Sequence, residues 1–335
     1  MPEQAPGVAP AAPPRIGGRG GASRGGARRG ASLVVIAGPT AVGKSAAALA
    51  LAREFAGEIV SADSRQVYRG LDIGTAKPTP AERAAAPHHL LDLVDPGEEF
   101  SLADYQALAY RAIAATQARG RVPLLVGGTP LYVNAVVEGW RLPRVPPNRA
   151  LRAALEAEAA RDGPAGLARR LAAVDPAAAA RAAGNPRRLI RALEVYAATG
   201  RPMSELAGKA APPYRVLQVG LTLARPALHA RADERVDAMI AAGLVAEVRG
   251  LLDRGYDPAL PALSGIGYAE IARHLAGDIS LPEAITQIKA NTHRYIRHQE
   301  TWLRRNRALR RIDVADPDWL ERLRALVGDE VGSRE

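Results

Sequence analysis

Apolar residues gather into short continuous runs that alternate with longer stretches of helical period. The run Leu33-Val34-Val35-Ile36-Ala37 is short and rich in β-branched residues, as a strand covered on both faces should be. An Ala/Leu-rich helical stretch follows to about residue 55, then a second strand over 58–62 that closes at Asp63. Helical spacing over 102–118 leads to a third apolar strand over 122–126, which ends in Gly127-Gly128-Thr129. Strand and helix alternating at these distances predict an α/β fold built on a doubly wound, mostly parallel sheet.

Near Trp140 the pattern changes. Pro143, Pro146 and Pro147 break the chain, and residues 149–200 are almost all helix-forming. Strand character returns over 216–223, and helices then run to about residue 305. The last of them places Ile285, Ile288, Thr292, Ile296, Gln299 and Leu303 on one stripe, with Arg294, Arg297, Arg304 and Arg305 on or near the opposite side. The expected organisation is a core of residues 32–142 and 213–316, a helical insertion over 143–212 and a C-terminal tail over 317–335. Residues 1–31, rich in Pro, Gly, Ala and Arg, carry too little apolar surface to offset ordering and are expected to be a disordered tail.

Composition changes this picture in few places. The 335 residues contain no cysteine, which removes disulfides, thiolate metal sites and cysteine nucleophiles together and suits a reducing cytoplasm. Formal net charge is +10, and the five arginines and single acid of residues 1–31 supply +4 of it. A basic excess suits a phosphate-rich partner, although an Arg-, Ala- and Gly-heavy composition produces one without any partner. No apolar run reaches the ~20 residues that cross a bilayer, so no membrane association is expected.

The segment Gly38-Pro39-Thr40-Ala41-Val42-Gly43-Lys44-Ser45 is a full G-x-x-x-x-G-K-S between a predicted strand and a predicted helix. Such loops belong to nucleotide-binding, often ATP-binding, cradles. Their glycines let backbone N–H groups converge on phosphate oxygens, and the helix N-terminus adds its dipole. Lys44 supplies a point charge, and the Ser45 hydroxyl is the candidate ligand of a phosphate-bound magnesium ion. The motif marks phosphate binding without distinguishing a triphosphate from a diphosphate. The strand over 122–126 ends in Gly127-Gly128-Thr129 instead of the magnesium-holding Asp common in P-loop ATPases, which points away from nucleotide hydrolysis.

Ligands of open α/β sheets bind outside the carboxyl ends of the strands, where Asp63, Thr129 and the Gly38-to-Ser45 loop all emerge. A carboxylate there can accept a proton from a nucleophile and a hydroxyl can orient it. Equally, Asp63 could cap a turn and Thr129 a helix. Adjacent His88 and His89 point to opposite faces of a strand and read as structural.

At this level of detail the chain resembles the tRNA dimethylallyltransferases. The shared strings are Ala37 to Ser45, Asp63-Ser64-Arg65-Gln66-Val67-Tyr68, Asp72-Ile73-Gly74-Thr75-Ala76-Lys77-Pro78, Pro87-His88-His89-Leu90-Leu91-Asp92, Val126-Gly127-Gly128-Thr129 and Arg191-Ala192-Leu193-Glu194-Val195. They occur in the family's order across about residues 33–307. The resemblance implies magnesium-dependent transfer of a dimethylallyl group from its diphosphate to the N6 amino group of the adenosine 3′ of the anticodon. That adenosine is flipped out of the tRNA anticodon stem-loop. It also implies a monomer, with Asp63 as general base and Thr129 touching the leaving oxygen and the nucleotide. Thr40, Lys44, Ser45 and Arg231 would neutralise the diphosphate. Asp63, Ser64, Arg65, Gln66, Thr129, Arg152 and the segment Arg187-Arg188-Leu189-Ile190-Arg191 would meet tRNA. One departure stands out: where the family has arginines in the last long helix, this chain has His293 and His298. A P-loop kinase acting on a small acceptor is the rival reading. A non-catalytic RNA-binding protein is another.

Overall fold

The computed structural model describes residues 32–212 and 214–332. In chain order it runs β1 (Ser32–Ala37), α1 (Lys44–Glu54), β2 (Gly57–Ser61), α2 (Pro80–Ala85), β3 (His88–His89), α3 (Leu102–Ala118), β4 (Val122–Gly127), α4 (Pro130–Val137) and β5 (Trp140–Arg141). Next come α5 (Arg149–Asp162), α6 (Pro164–Val174), α7 (Pro176–Ala182), α8 (Pro186–Thr199), α9 (Met203–Leu206), β6 (Gly208–Lys209) and β7 (Arg215–Thr222). The remaining described elements are α10 (Arg225–Ala241), α11 (Leu244–Asp253), a 3-10 turn (Pro261–Ser264), α12 (Tyr268–Leu275), α13 (Leu281–Arg305), β8 (Arg310–Asp313) and α14 (Trp319–Gly332). The tail expected over residues 1–31 lies outside the described residues.

Six strands form one sheet in the order β3-β2-β4-β1-β7-β8, every neighbouring pair parallel. β1, β2 and β4 are buried at every position, which is why β1 and β4 read as apolar runs, while β2 carries the buried Glu58. The chain leaves β1 towards β2 and β3, returns through β4, and reaches the other side of β1 only with β7. The carboxyl ends of β1, β2 and β4 therefore face one crevice at the point where the winding reverses. One apolar layer, around Tyr105, Leu125 and Ile288, packs on one face of the sheet. A second, around Leu51, Val219 and Leu323, packs on the other.

The helices α5 to α8 enclose a third apolar cluster of their own, including Leu155, Leu167, Leu171 and Leu189. Antiparallel pairing of β5 with β6, Trp140 opposite Lys209 and Arg141 opposite Gly208, closes the neck of this unit. The C-terminal tail expected over 317–335 is corrected. Most of it is α14, whose Leu323 and Val327 are fully buried against the sheet and whose Glu330 pairs with Arg215. Leu323 and Val327 lie one turn apart and form a helical stripe too short to stand out next to the long α13. β8 was also missed as a strand. Only Ile312 of its four residues is buried, so Arg310, Arg311 and Asp313 hide the pattern at this sheet edge.

Both histidines of β3 have structural partners. His89 Nε2 lies 2.7 Å from Glu58 Oε2, and His88 Nδ1 lies 2.8 Å from the Ala86 carbonyl. Glu58 is only 2% exposed and also accepts hydrogen bonds from Thr116 and Arg119. The Arg119 hydrogen bond is the largest influence holding this carboxyl down at about 2, against the upward push of burial. Because the folded-state value lies below the ordinary 4.5, the stability Glu58 contributes is fully present above 4.5 and is lost as pH falls towards 2. Glu58→Gln should thus unfold more easily than wild type at neutral pH, with the difference narrowing through that acid window. Urea unfolding at a series of pH values measures this, and a gap independent of pH would contradict it.

Candidate active site

The crevice at the carboxyl ends of the strands has a volume of about 570 Å³. Its floor is the P-loop. β1 ends at Ala37, the chain turns through a left-handed Ala41 (φ 67°) and Gly43 (φ 103°), and α1 begins at Lys44. Gly38 is required by close approach, since a Cβ there would sit 2.9 Å from the Leu221 carbonyl oxygen. Thr40, Ala41, Gly43, Lys44 and Ser45 line the crevice, whereas Gly38, Pro39 and Val42 shape the turn beneath. Lys44 Nζ donates to the Pro39 carbonyl at 2.8 Å. Its ammonium is held down at about 8, first by burial and next by the Arg235 guanidinium, with Asp63 acting in the opposite direction.

Asp63, Ser64, Arg65 and Gln66 leave β2 and form one wall. Asp63 Oδ1 accepts the Arg65 N–H at 2.8 Å, so Asp63 does cap a turn, and it faces the crevice as well. Gln66 is braced from Ser61 and to the Thr75 and Ala76 carbonyls. Arg65 reaches across to the Pro261 carbonyl and to Ser264 Oγ at 3.2 Å, clasping the opposite wall. Thr129 is the N-cap residue of α4 but makes no capping hydrogen bond with its side chain. Its Oγ1 instead accepts the Ser64 N–H at 3.2 Å, which ties the turn after β4 to the turn after β2. Tyr295 is a second hydrogen-bond partner of the Thr129 side chain.

Both Arg231 and Arg235 are exposed, but only Arg235, one turn further along α10, lines the crevice, beside Lys44 and Asp63. Both arginines precede a member of the buried stripe Leu228, Ala232 and Val236 and so share a face of α10; position along the helix places Arg235 at the crevice. The expected tRNA segment also divides. Leu189 and Ile190 are core residues of the helical unit, 0% and 4% exposed. Arg152 and Arg191 grip Glu194, which is 1% exposed: Arg152 at 2.8 Å through two nitrogens and Arg191 at 2.5 Å. Arg191 further donates to the Val145 and Pro143 carbonyls. Burial would raise the Glu194 carboxyl, but hydrogen bonds from Arg152, the Asn148 amide and Arg191 outweigh it and hold it at about 2. These two arginines therefore secure the neck. Arg187 and Arg188 remain exposed on the surface of α8.

Besides Arg235, two site residues escaped sequence reasoning. Tyr295 lines the crevice, with its phenol 3.4 Å from the Gly128 carbonyl, and is pushed up to about 12, first by burial and then by Asp63. Gln299 joins the Thr40 amide to the Gly128 carbonyl. The available signal was a polar residue on an otherwise apolar helical stripe. Among the described residues no group of three or more His, Asp or Glu side chains is placed to hold a metal ion, and no helix is long and apolar enough to cross a membrane.

A family profile described as IPP transferase matches residues 66–306, and one described as isopentenyl transferase matches residues 31–92. The chain is 55% identical over 296 residues to a tRNA dimethylallyltransferase of Thermomicrobium roseum, covering 88% of this chain and 90% of that one. It is 60% identical over 274 residues to one from Roseiflexus sp. strain RS-1, covering 82% and 90%. Among solved structures it is similar to the full-length tRNA isopentenylpyrophosphate transferase of Bacillus halodurans, with TM-score 0.68, 40% identity and coverage of 90% and 97%. It is also similar to a eukaryotic dimethylallyltransferase acting on tRNA, with TM-score 0.75, 26% identity and coverage of 91% and 80%.

An anion settling on the P-loop favours the charged form of Lys44. Affinity for inorganic diphosphate should hold below pH 8 and decline above it as the free ammonium loses its proton. Calorimetric titration across pH checks this; Lys44→Met should bind weakly with no such inflection, and an unchanged inflection would assign it to another group.

Proposed function

The chain belongs to the tRNA dimethylallyltransferase family, transferring a dimethylallyl group to the N6 amino group of the adenosine 3′ of the anticodon, and from that premise we propose how its crevice does so. The observation that carries the reading is the convergence of Lys44, Asp63, Thr129 and Arg235 on one cavity. Dimethylallyl diphosphate lies with its phosphates on the P-loop, where Lys44, Arg235 and the N-terminus of α1 take up negative charge as the C1–O bond breaks. The N6 nitrogen attacks C1, diphosphate departs with the electron pair, and the N6 proton passes to the Asp63 carboxylate. The Thr129 hydroxyl donates towards the leaving oxygen or the base while the Ser64 amide fixes its orientation. Val236, Met239, Ile266 and Ile288 offer the apolar surface that suits an isoprenoid.

A magnesium ion fits this site through the diphosphate, because the crevice offers a hydroxyl at Ser45 and, among the described residues, no carboxylate cluster is placed to hold a metal. Ser45 would hold it, and the ion would add charge neutralisation to the leaving group. The flipped adenine enters beside residues 63–66 and 129, and the exposed Arg187 and Arg188 on α8 meet the tRNA backbone. Every group named comes from one chain, so the reading requires no second copy.

Asp63→Ala should lower kcat by about 10²–10⁴ while leaving diphosphate affinity nearly intact. Initial-rate kinetics of dimethylallyl transfer to unmodified tRNA measure it, and a variant with wild-type turnover would remove Asp63 from the role of base. In the same assay Arg235→Ala should weaken use of the isoprenoid diphosphate by about tenfold or more, as loss of a charge-assisted contact predicts. Arg231→Ala should leave it near wild type. The opposite ranking would restore Arg231 to the site.

A further inference from the structure

α13 crosses the carboxyl edge of the sheet and contributes a polar side chain where its stripe is otherwise almost wholly apolar. Gln299 is 2% exposed, between buried Ile296 and Leu303. Its Oε1 accepts the Thr40 N–H of the P-loop at 2.9 Å, and its Nε2 donates to the Gly128 carbonyl at 2.9 Å. The amide orientation is dictated by its partners, one a donor and the other an acceptor. A Cβ at position 128 would lie 2.4 Å from Gln299 Nε2, so the glycine and the carboxamide require each other. The helix is itself pinned to the turn's own helix, since Trp302 Nε1 donates to Asn134 Oδ1 of α4 at 3.2 Å.

We propose that Gln299 is a positioning residue for the transfer: its carboxamide ties the P-loop to the turn at residues 127–129 and sets the spacing between the leaving diphosphate and Thr129. The inference rests on the proposed reaction, in which one loop holds the leaving group and the other orients the nucleophile. It touches neither substrate. Its effect is to keep two separately anchored loops at one distance, and a misplacement of about 1 Å costs on the order of 10²-fold in rate.

Two variants and one measurement independent of catalysis test this. In Gln299→Glu the carboxylate still accepts from Thr40 but sets a second oxygen against the Gly128 carbonyl. Protonation restores a donor there. Its kcat at neutral pH should fall by about 10²-fold with both KM values nearly unchanged, and should recover relative to wild type as pH is lowered. Gln299→Met, which keeps the length and loses both hydrogen bonds, should show the fall without the recovery. Hydrogen exchange at the Thr40 amide should accelerate by roughly tenfold or more in Gln299→Met. Wild-type kcat in both variants at every pH would reduce Gln299 to a packing residue, and unchanged Thr40 protection would show that no tether exists. Should the wild-type protein move no dimethylallyl group at all, the functional reading fails, while the exchange measurement still decides the tether.

Discussion

The parallel pairing of β1 with β4 is the constraint on which the site depends. Its register sets Ala37 opposite Gly127, so the P-loop and the turn carrying Thr129 emerge side by side, one strand spacing of about 4.8 Å apart. β2 pairs with β4 on the other side, with Ser61 opposite Val126, and delivers Asp63 to the same edge. The crowding leaves no room for a side chain at position 127, where a Cβ would stand 2.2 Å from the Ala62 carbonyl oxygen. Strand order brings a phosphate cradle, a carboxylate and a hydroxyl to one edge, from positions 38 to 129 in the sequence.

Strand order places the loops, and polar groups of the surrounding helices and turns then hold them. Glu247 accepts three successive amides of the loop after the first wall, those of Asp72, Ile73 and Gly74, together with the Tyr268 hydroxyl at 2.6 Å. Lys77, nearly fully buried, is paired with Asp72 at 2.7 Å and Asp92 at 2.5 Å and donates to the Tyr68 carbonyl. The Asp72-to-Pro78 string is thus scaffolding for the crevice wall. Arginines divide likewise: Arg65, Arg152 and Arg191 make internal clasps, Arg235 lines the cavity, and Arg187 and Arg188 lie exposed on α8.

Much of this was legible because local chemistry forced it. The strands at 33–37 and 122–126, the helix at 102–118 and the α13 stripe each follow from periodicity, and the P-loop from its glycines and lysine. What escaped depended on where an element meets the rest of the fold. Arg231 and Arg235 lie one turn apart on the same face of one helix, and only their position along it relative to the crevice decides between them. The ion pair of Arg152 was hidden because its partner, Glu194, is 42 residues away and reached only through the neck of the helical unit. α14 was mistaken for a tail because Leu323 and Val327 find their apolar surface on strands far away in the chain.

The central claim is that one crevice joins an isoprenoid diphosphate to an adenine. The most direct measurement is transfer from radiolabelled dimethylallyl diphosphate to unmodified tRNA, run beside a reaction with labelled ATP and no isoprenoid. The account predicts label on the adenosine 3′ of the anticodon, diphosphate released in equal amount, and ATP left intact. Consumption of ATP with no label on tRNA would contradict it and make the cradle that of a kinase.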